Sequence, residues 1–378
     1  MANLYNDTEK LKAQADEQHT KVMEILKQAK EPSIFNGVDK EVHLVTGGLG
    51  HIGSYIVEYL AGSRENAKII VVDNHYNGKR ENISPAASKA AARQNEIIME
   101  HVDIADEEAL YTVFDKFEPH YVYHQASMLT QDSAKYRKRA IDVNIVGFVN
   151  VLEACVQSNT RKLVFASSAS VFGDPNYIPV DESHDFNNCS ILYGATKVAN
   201  EFLAKSYADQ CDLKLVGLRY FNVYGYRQST LNLYTQIVPK WINAFIDGKP
   251  IELYGDGEQT MDMIHGYDVG MMNVTAMSKS SVARGVMLKD DYIFQGFINI
   301  GTGIQTSVIE LYEMIKLSLA AQGIDVGRSE LKKIPHDPAL VRRRQCDVKL
   351  MHELLGKHQI EVDYGIDTTV RKILKERK

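Results

Sequence analysis

From residue 42 onward the chain alternates between short, mostly apolar runs and longer stretches in which apolar positions recur every three or four residues. The runs near 42–46, 68–72, 96–102, 120–124, 161–166 and 213–218 predict strands, and the stretches near 52–62, 106–116, 140–158 and 193–208 predict helices. Strands without polar alternation are buried on both faces, and intervening helices are the crossovers that parallel strands require. The expectation is an α/β fold, a Rossmann-like doubly wound parallel sheet. Ahead of it, Thr8 to Lys30 places Leu11, Ala15, Val22, Met23, Ile25, Leu26 and Ala29 among charges, which predicts one amphipathic helix ending before Glu31-Pro32. Past Asn222 the pieces shorten to a helix around Ile237–Ile246, a turn at Tyr254–Gly257, a strand at Phe297–Ile300 and a helix from Ser307 to Ala321; Lys279–Gln295 reads as a surface loop. The expected division is a helical extension over 1–40, the sheet domain over 41–221 and a smaller C-terminal substrate-binding lobe over 222–378, with an interleaved boundary.

Where the first strand meets its helix, the chain reads Val45-Thr46-Gly47-Gly48-Leu49-Gly50-His51-Ile52-Gly53, with glycines spaced G-x-x-G-x-x-G. Such a turn lets backbone N–H groups and the positive end of a helix approach a pyrophosphate, although glycine also occurs in strand-to-helix turns for conformational reasons alone. The next strand ends in Asp73, at the distance where a carboxylate accepts the hydroxyls of an adenosine ribose. That acid favours NAD over NADP, whose extra phosphate it would repel. Asp103, ending a later strand, has two readings, a partner for the adenine amine or an N-cap for the helix beginning near Asp106.

Composition narrows the class. With 378 residues, 44% hydrophobic, and a formal charge of −6 without a basic stripe, the chain suits a globular protein with no nucleic-acid surface. Cys155, Cys189, Cys211 and Cys346 form no C-x-x-C pair, which points to reduced thiols, no metal site and a cytoplasmic setting. No window is expected to cross a bilayer, and no membrane partner is expected.

Two further clusters carry chemistry. Tyr193 and Lys197, four residues apart at the start of a predicted helix, share one face. A tyrosine with an ordinary pKa of about 10 needs a nearby cation to act as a base near neutrality, and Lys197 can supply it. Upstream, the strand Leu163–Ala166 releases Ser167, Ser168 and Ser170 at its C-terminal end, where ligands of open α/β sheets sit and where a serine can stabilise a developing oxyanion.

With the glycine turn, Asp73, Ser168, Tyr193 and Lys197 in this order, the chain resembles the nucleotide-sugar epimerases of the extended short-chain dehydrogenase/reductase family from about Val42 to the C-terminus. The resemblance implies NAD as cofactor, held by Gly47, Gly50, His51, Ile52, Gly53, Asp73, Asn74, Asp103 and Ile104. It extends to the turn Gln125-Ala126-Ser127, to Asn144, and to Tyr220 and Val223 in Leu218–Gly225, with Tyr193 and Lys197 touching both cofactor and chemistry. It implies Ser168, Tyr193 and Lys197 as catalytic residues, and Met128, Ser168, Ser170, Asn222, Gln236, Tyr254, Arg342 and Arg344 as substrate contacts. The implied reaction is an inversion at C4 of a nucleoside-diphosphate sugar: Tyr193 takes a hydroxyl proton, the hydrogen on the same carbon leaves as hydride, and both return after the keto sugar turns over. The two helices around Val146, Val149, Val151, Leu152 and Val198, Phe202, Leu203 make a homodimer in such relatives, although these stripes also suit packing on their own sheet.

The match departs in places. Relatives that dehydrate or decarboxylate the sugar need an extra acid just after the catalytic hydroxyl, where this chain has Ala169 and Ser170; Asp132 or Glu182 would have to reach in from elsewhere. Met261 and Asp337 stand where arginines often hold the pyrophosphate, and Arg342-Arg343-Arg344 can compensate, since guanidinium forks suit phosphate oxygens. The base and the sugar stay open, as do a same-fold dehydrogenase or reductase and a non-catalytic NAD-binding scaffold.

Overall fold

A parallel sheet needs cover on both faces, and the chain supplies strands and covering helices in a fixed order. The computed structural model describes residues 40–229, 236–279, 296–335 and 341–377; the helix expected over 8–30, the loop expected over 279–295 apart from Lys279, and Asp337 lie outside them. Among the described residues the strands are β1 (Val42–Thr46), β2 (Lys68–Val72), β3 (Glu96–Glu100), β4 (Tyr121–His124), β5 (Lys162–Ser168), β6 (Leu215–Tyr220), β7 (Asn222–Tyr224), β8 (Ile251–Tyr254), β9 (Thr260–His265), β10 (Phe297–Ile300), β11 (Gln305–Ser307) and β12 (Leu331–Ile334). Seven of them form a sheet in the order β10-β6-β5-β4-β1-β2-β3, every pair parallel. The strands predicted from the apolar runs are all present.

The side-chain period of two sorts the sheet into two cores. Val45, Val71, Tyr123 and Val164 point to the face covered by the helices His51–Ser63, Ser84–Ala92 and Gly266–Ser278. Leu44, Ile70, Val122 and Leu163 point to the face covered by Glu107–Phe117, Arg137–Gln157 and Leu192–Cys211. Besides the short Thr130–Lys135 and Lys349–Leu354, three longer helices among the described residues went unpredicted. Ser84–Ala92 is alanine-rich, with a proline in its first turn. Gly266–Ser278 is buried almost all round and so shows no stripe. Val362–Glu376 does show one, in Val362, Ile366, Val370 and Ile373.

Contrary to expectation, Arg137–Gln157 is apolar and long enough to cross a bilayer, the one such helix among the described residues; it packs on the sheet, with 56% of its most apolar window buried. The stripes considered for a dimer divide: Val151 and Leu152 face their own sheet, whereas Val146 and Phe202 are exposed.

Phe297–Ile300, expected among the pieces of the lobe, joins the large sheet beside β6, where the absence of a side chain on Gly217 makes room for Phe297: a Cβ there would lie 2.6 Å from the Phe297 ring. The smaller lobe has its own core of Trp241, Phe245, Leu253, Tyr312 and Ile366. Its helix Val308–Ala321 starts with a capping box between Ser307 and Glu310. The lobe is stapled to β10 by Asp262 on β9, which is fully buried and accepts from the Thr302 N–H at 2.6 Å, the Thr302 hydroxyl at 2.8 Å, and the Gly303 and Cys346 N–H groups at 2.9 Å each.

Strand order reverses between β1 and β4, the place where open α/β sheets leave a crevice at their C-terminal ends. The glycine turn opens there. Gly47 has φ +63°, and a Cβ on it would stand 2.8 Å from the Ala126 nitrogen beyond β4. A Cβ on Gly53 would stand 2.2 Å from the Gly47 carbonyl oxygen.

Two outcomes are expected. Gly53→Ala forces the turn and helix apart, costing about 3 kcal/mol in urea unfolding and abolishing dinucleotide binding. Asp262→Ala takes the acceptor from two buried N–H groups, a part-buried third and the Thr302 hydroxyl, and the same measurement should show a loss of at least about 3 kcal/mol.

Candidate active site

The crevice continues into a single cleft of about 1170 Å³ that runs from the glycine turn to the smaller lobe. That exceeds the usual size of a pocket for one small ligand. At one end the helix His51–Ser63 begins at Gly50 with no capping side chain and no acid in its first turn, so its first N–H groups and dipole face the cleft with Gly47, Gly50, His51, Ile52 and Gly53 in the wall. This cradle, which a Cβ would fill, fits a pyrophosphate.

Asp73 is buried at the end of β2 and accepts from the Leu49 N–H at 3.0 Å and the His75 N–H at 2.8 Å, so it ties the glycine turn to the following loop while still lining the cleft. A carboxylate has lone pairs beyond these two. Asn74, Asp103 and Ile104 complete this end. The N-cap reading of Asp103 gives way to another: Asp106 caps the helix by accepting from Ala109 N–H at 3.1 Å, and Asp103 accepts from Ala105 N–H, from Asn74 Nδ2 and from Arg139.

Beyond β4, Gln125, Ala126, Ser127 and Met128 line the cleft together with Tyr220 and Val223. The Tyr220 hydroxyl lies 3.2 Å from Gln125 Oε1 and 3.0 Å from Asn273 Oδ1, and burial pushes its pKa up. Sequence reasoning missed Asn273 and also Thr46, whose Oγ1 accepts from the Gln125 and Ala126 N–H groups. Thr46 ends a buried strand and Asn273 lies in a helix buried almost all round, and nothing in the one-dimensional pattern shows that either polar group serves the interior.

Asn144 departs from its expected place. It is outside the cleft wall and 1% exposed; its side-chain oxygen accepts from Met128 N–H at 2.7 Å, and its Nδ2 donates to the Met128 carbonyl at 3.0 Å and lies 3.2 Å from Thr196 Oγ1. A bidentate amide buried between loop and helix holds the wall without being part of it.

At the C-terminal end of β5, Ser168 and Ser170 enter the cleft, with Ser168 Oγ accepting from Ser170 N–H at 3.1 Å. Tyr193 lines the cleft from the first turn of Leu192–Cys211. Lys197 lies one turn deeper, beneath the wall instead of in it: it is 1% exposed, its Nζ donates to the Ala166 carbonyl at 2.9 Å, and it sits 5.7 Å from the centre of the Tyr193 ring. Burial pulls its pKa down to about 8, with the Glu201 carboxylate opposing the fall. A hydroxyl donor, a tyrosine and a buried ammonium thus converge beside the dinucleotide cradle.

The far end carries Asn222, Gln236, Tyr254, Met261 and Arg344. Arg342 does not join them: it is exposed and reaches Asp256 at 3.4 Å in the turn after β8. Neither acid considered for a second step lines the cleft. Asp132 is buried within Thr130–Lys135, and Glu182 accepts from Asn299 N–H at 2.9 Å, with burial raising its pKa to about 7.

Comparison with known proteins agrees with this geometry. The family model described as "NAD dependent epimerase/dehydratase family" matches residues 43–288. A Methanocaldococcus jannaschii protein, provisionally named a UDP-glucose 4-epimerase, is 32% identical over 331 residues, covering 86% of this chain and 96% of its own. The UDP-N-acetylglucosamine 4-epimerase of Methanobrevibacter ruminantium, solved with UDP-N-acetylmuramic acid, superposes with a TM-score of 0.76 at 27% identity over 90% of this chain and 100% of its own. The UDP-glucose 4-epimerase of Thermus thermophilus, solved with NAD, does so with a TM-score of 0.72 at 29% identity over 87% and 98%. With a glycine-lined helix start, the acid Asp73 in the cleft wall and the Ser, Tyr and Lys side chains converging in one fold, the chain belongs to the NAD-dependent epimerase/dehydratase family, among its nucleotide-sugar 4-epimerases.

Proposed function

We propose that this protein inverts C4 of a nucleoside-diphosphate sugar through a transient ketone, with its NAD retained between turnovers. The observation that carries the reading is the placement of Ser168 and Tyr193 in one cleft wall above buried Lys197, continuous with the glycine cradle. Tyr193 takes the proton of the sugar hydroxyl and later returns one. Ser168 donates a hydrogen bond to the reacting oxygen, and the Lys197 ammonium favours the phenolate of Tyr193. NAD, when bound, supplies the two-electron acceptor and donor that the detour through a ketone needs. The large cleft gives the keto sugar space to present its other face. The absence of Asp132 and Glu182 from the wall favours epimerisation over loss of water or carbon dioxide.

At the far end, Arg344 takes phosphate oxygens in place of Met261, with Asn222, Gln236 and Tyr254 around the nucleotide. The related proteins are named for UDP-glucose and UDP-N-acetylglucosamine, which makes UDP-hexoses and UDP-hexosamines the first substrates to offer. The division at residue 221, with β10 returning to the large sheet, and a cytoplasmic setting with unpaired Cys155, Cys189, Cys211 and Cys346, complete the reading. The protein pairs as a homodimer through Arg137–Gln157 and Leu192–Cys211, which expose Ile141, Val146 and, at 64%, Phe202.

Purified protein given UDP-, GDP-, CDP- and dTDP-sugars without added NAD should produce a stereoisomer of unchanged mass by proton NMR. Turnover only in proportion to added cofactor would make it a dehydrogenase or reductase. Tyr193→Phe should keep its NAD and lose at least about a hundredfold in kcat; an active variant removes Tyr193 as the base. Phe202→Glu with Val146→Glu should sediment as a monomer where the parent is a dimer, and a monomeric parent would refute this interface.

A further inference from the structure

Beneath the proposed Ser–Tyr–Lys site lies an ion pair that this chemistry leaves unused. Glu201, one turn beyond Lys197 on the same helix, is only 3% exposed. Its carboxylate receives two hydrogen bonds from Arg219 on β6, Nε to Oε1 at 2.9 Å and Nη2 to Oε2 at 2.8 Å, and the Ser167 hydroxyl donates to Oε1. The guanidinium is enclosed: its centre lies 5.1 Å from the rings of Phe172 and Phe186 and 5.2 Å from that of Phe297, and Nη1 donates to the Glu182 carbonyl at 3.0 Å. An ion pair in an aromatic pocket is an expensive way to join a helix to a sheet, since apolar residues of equal volume often do so at no loss.

Its position gives it a use. Three successive residues of β5 have three tasks: the Ala166 carbonyl accepts from Lys197, the Ser167 hydroxyl bonds Glu201, and Ser168 enters the cleft. The helix that carries Tyr193 and Lys197 is thus locked to the strand that carries Ser168, at adjacent residues. We infer that Glu201, braced by Arg219, is a positioning residue for the reaction: it fixes Lys197 under Tyr193 and holds the ammonium in its charged form.

The charges around Lys197 support this assignment. On its own helix are Tyr193 and Glu201; from β6 comes Arg219, already bonded to Glu201; from β4 comes His124, which burial keeps neutral, its pKa pulled down to about 3, and whose Nδ1 is engaged by Thr46 at 2.9 Å. The neighbours that β5 presents, Ala166 and Ser167, carry no charge, and on the other flank Asn144 bonds the adjacent Thr196. Glu201 is therefore the negative charge in this set, and it opposes the fall that burial imposes on Lys197. A lysine whose folded pKa lies near 8 loses its proton within the working range of an enzyme, so a carboxylate that moves this value decides how far toward alkaline pH the cation survives.

The test rests on the reading of Tyr193 and Lys197 given above and can fail separately from it. Lys197 is titrated directly by NMR of isotopically labelled lysine side chains, its signal assigned by subtraction with Lys197→Met. The titration compares the holoenzyme, Glu201→Gln, and a double variant, Glu201→Leu with Arg219→Met, that removes both charges while keeping volume. The Lys197 midpoint should fall by about one pH unit in Glu201→Gln and by less, in the same direction, in the double variant, where loss of the Arg219 cation offsets part of the loss of the carboxylate; the alkaline limb of kcat should move down with it while KM stays within about twofold. If Glu201→Gln does not fold, the double variant carries the measurement. A midpoint that stays in place, or a kcat lowered equally at every pH, would overturn the inference and leave Glu201 a structural residue. Turnover by Tyr193→Phe would instead overturn the catalytic reading, whatever Lys197 does.

Discussion

The site depends on how closely three backbones meet at the C-terminal end of β1. Gly47 lies against the segment after β4, Gly53 lies against Gly47, and neither approach leaves room for a Cβ. Because the turn is this tight, the first helix starts at Gly50 with its N–H groups uncapped and directed at the crevice where strand order reverses. An uncapped helix start is ordinarily a defect. Here it leaves the N–H groups open to the cleft, and neighbouring contacts hold the surrounding wall: Asp73 holds the turn by Leu49, Thr46 holds Gln125 and Ala126, and Tyr220 bonds Gln125 and Asn273.

The second half of the site is held by buried polar clamps. Asn144 ties the loop at Met128 to the helix at Thr196, Lys197 ties that helix to Ala166, Glu201 ties it to Ser167 and Arg219, and Asp262 ties the smaller lobe to the turn after β10. Each satisfies groups that would be costly to leave unpaired, and each has directional geometry that apolar packing lacks. Ser168, Tyr193 and Lys197 sit on the edges of these clamps, so their separations are set by rigid elements.

Much of this was legible beforehand, for a physical reason. Apolar periodicity reports burial, so β1 to β6 and the four main helices could be read within a few residues. The glycine spacing, Asp73, Ser168 and Tyr193 stood out in the sequence, and the structure brings them into one cleft with Lys197 beneath it, because each stands at a strand end or helix start that local patterning marks. The helix Gly266–Ser278 escaped because a helix buried all round has no polar face to mark its period. Asn273 and Glu201 escaped because a polar residue that serves the interior looks, in one dimension, like one that faces water.

What the sequence determined by itself was the class of fold and the close-packed glycine turn at the C-terminal end of β1, since these follow from local spacing and from where a side chain cannot fit. Only the tertiary structure decided that Asn144 braces the wall from behind, that Lys197 lies under it, that Arg344 and not Arg342 faces the cleft, and that Phe297–Ile300 closes the large sheet. Those outcomes depend on contacts between residues tens to hundreds of positions apart. Direction and depth of a side chain are properties of the assembled layers, and no local pattern encodes them.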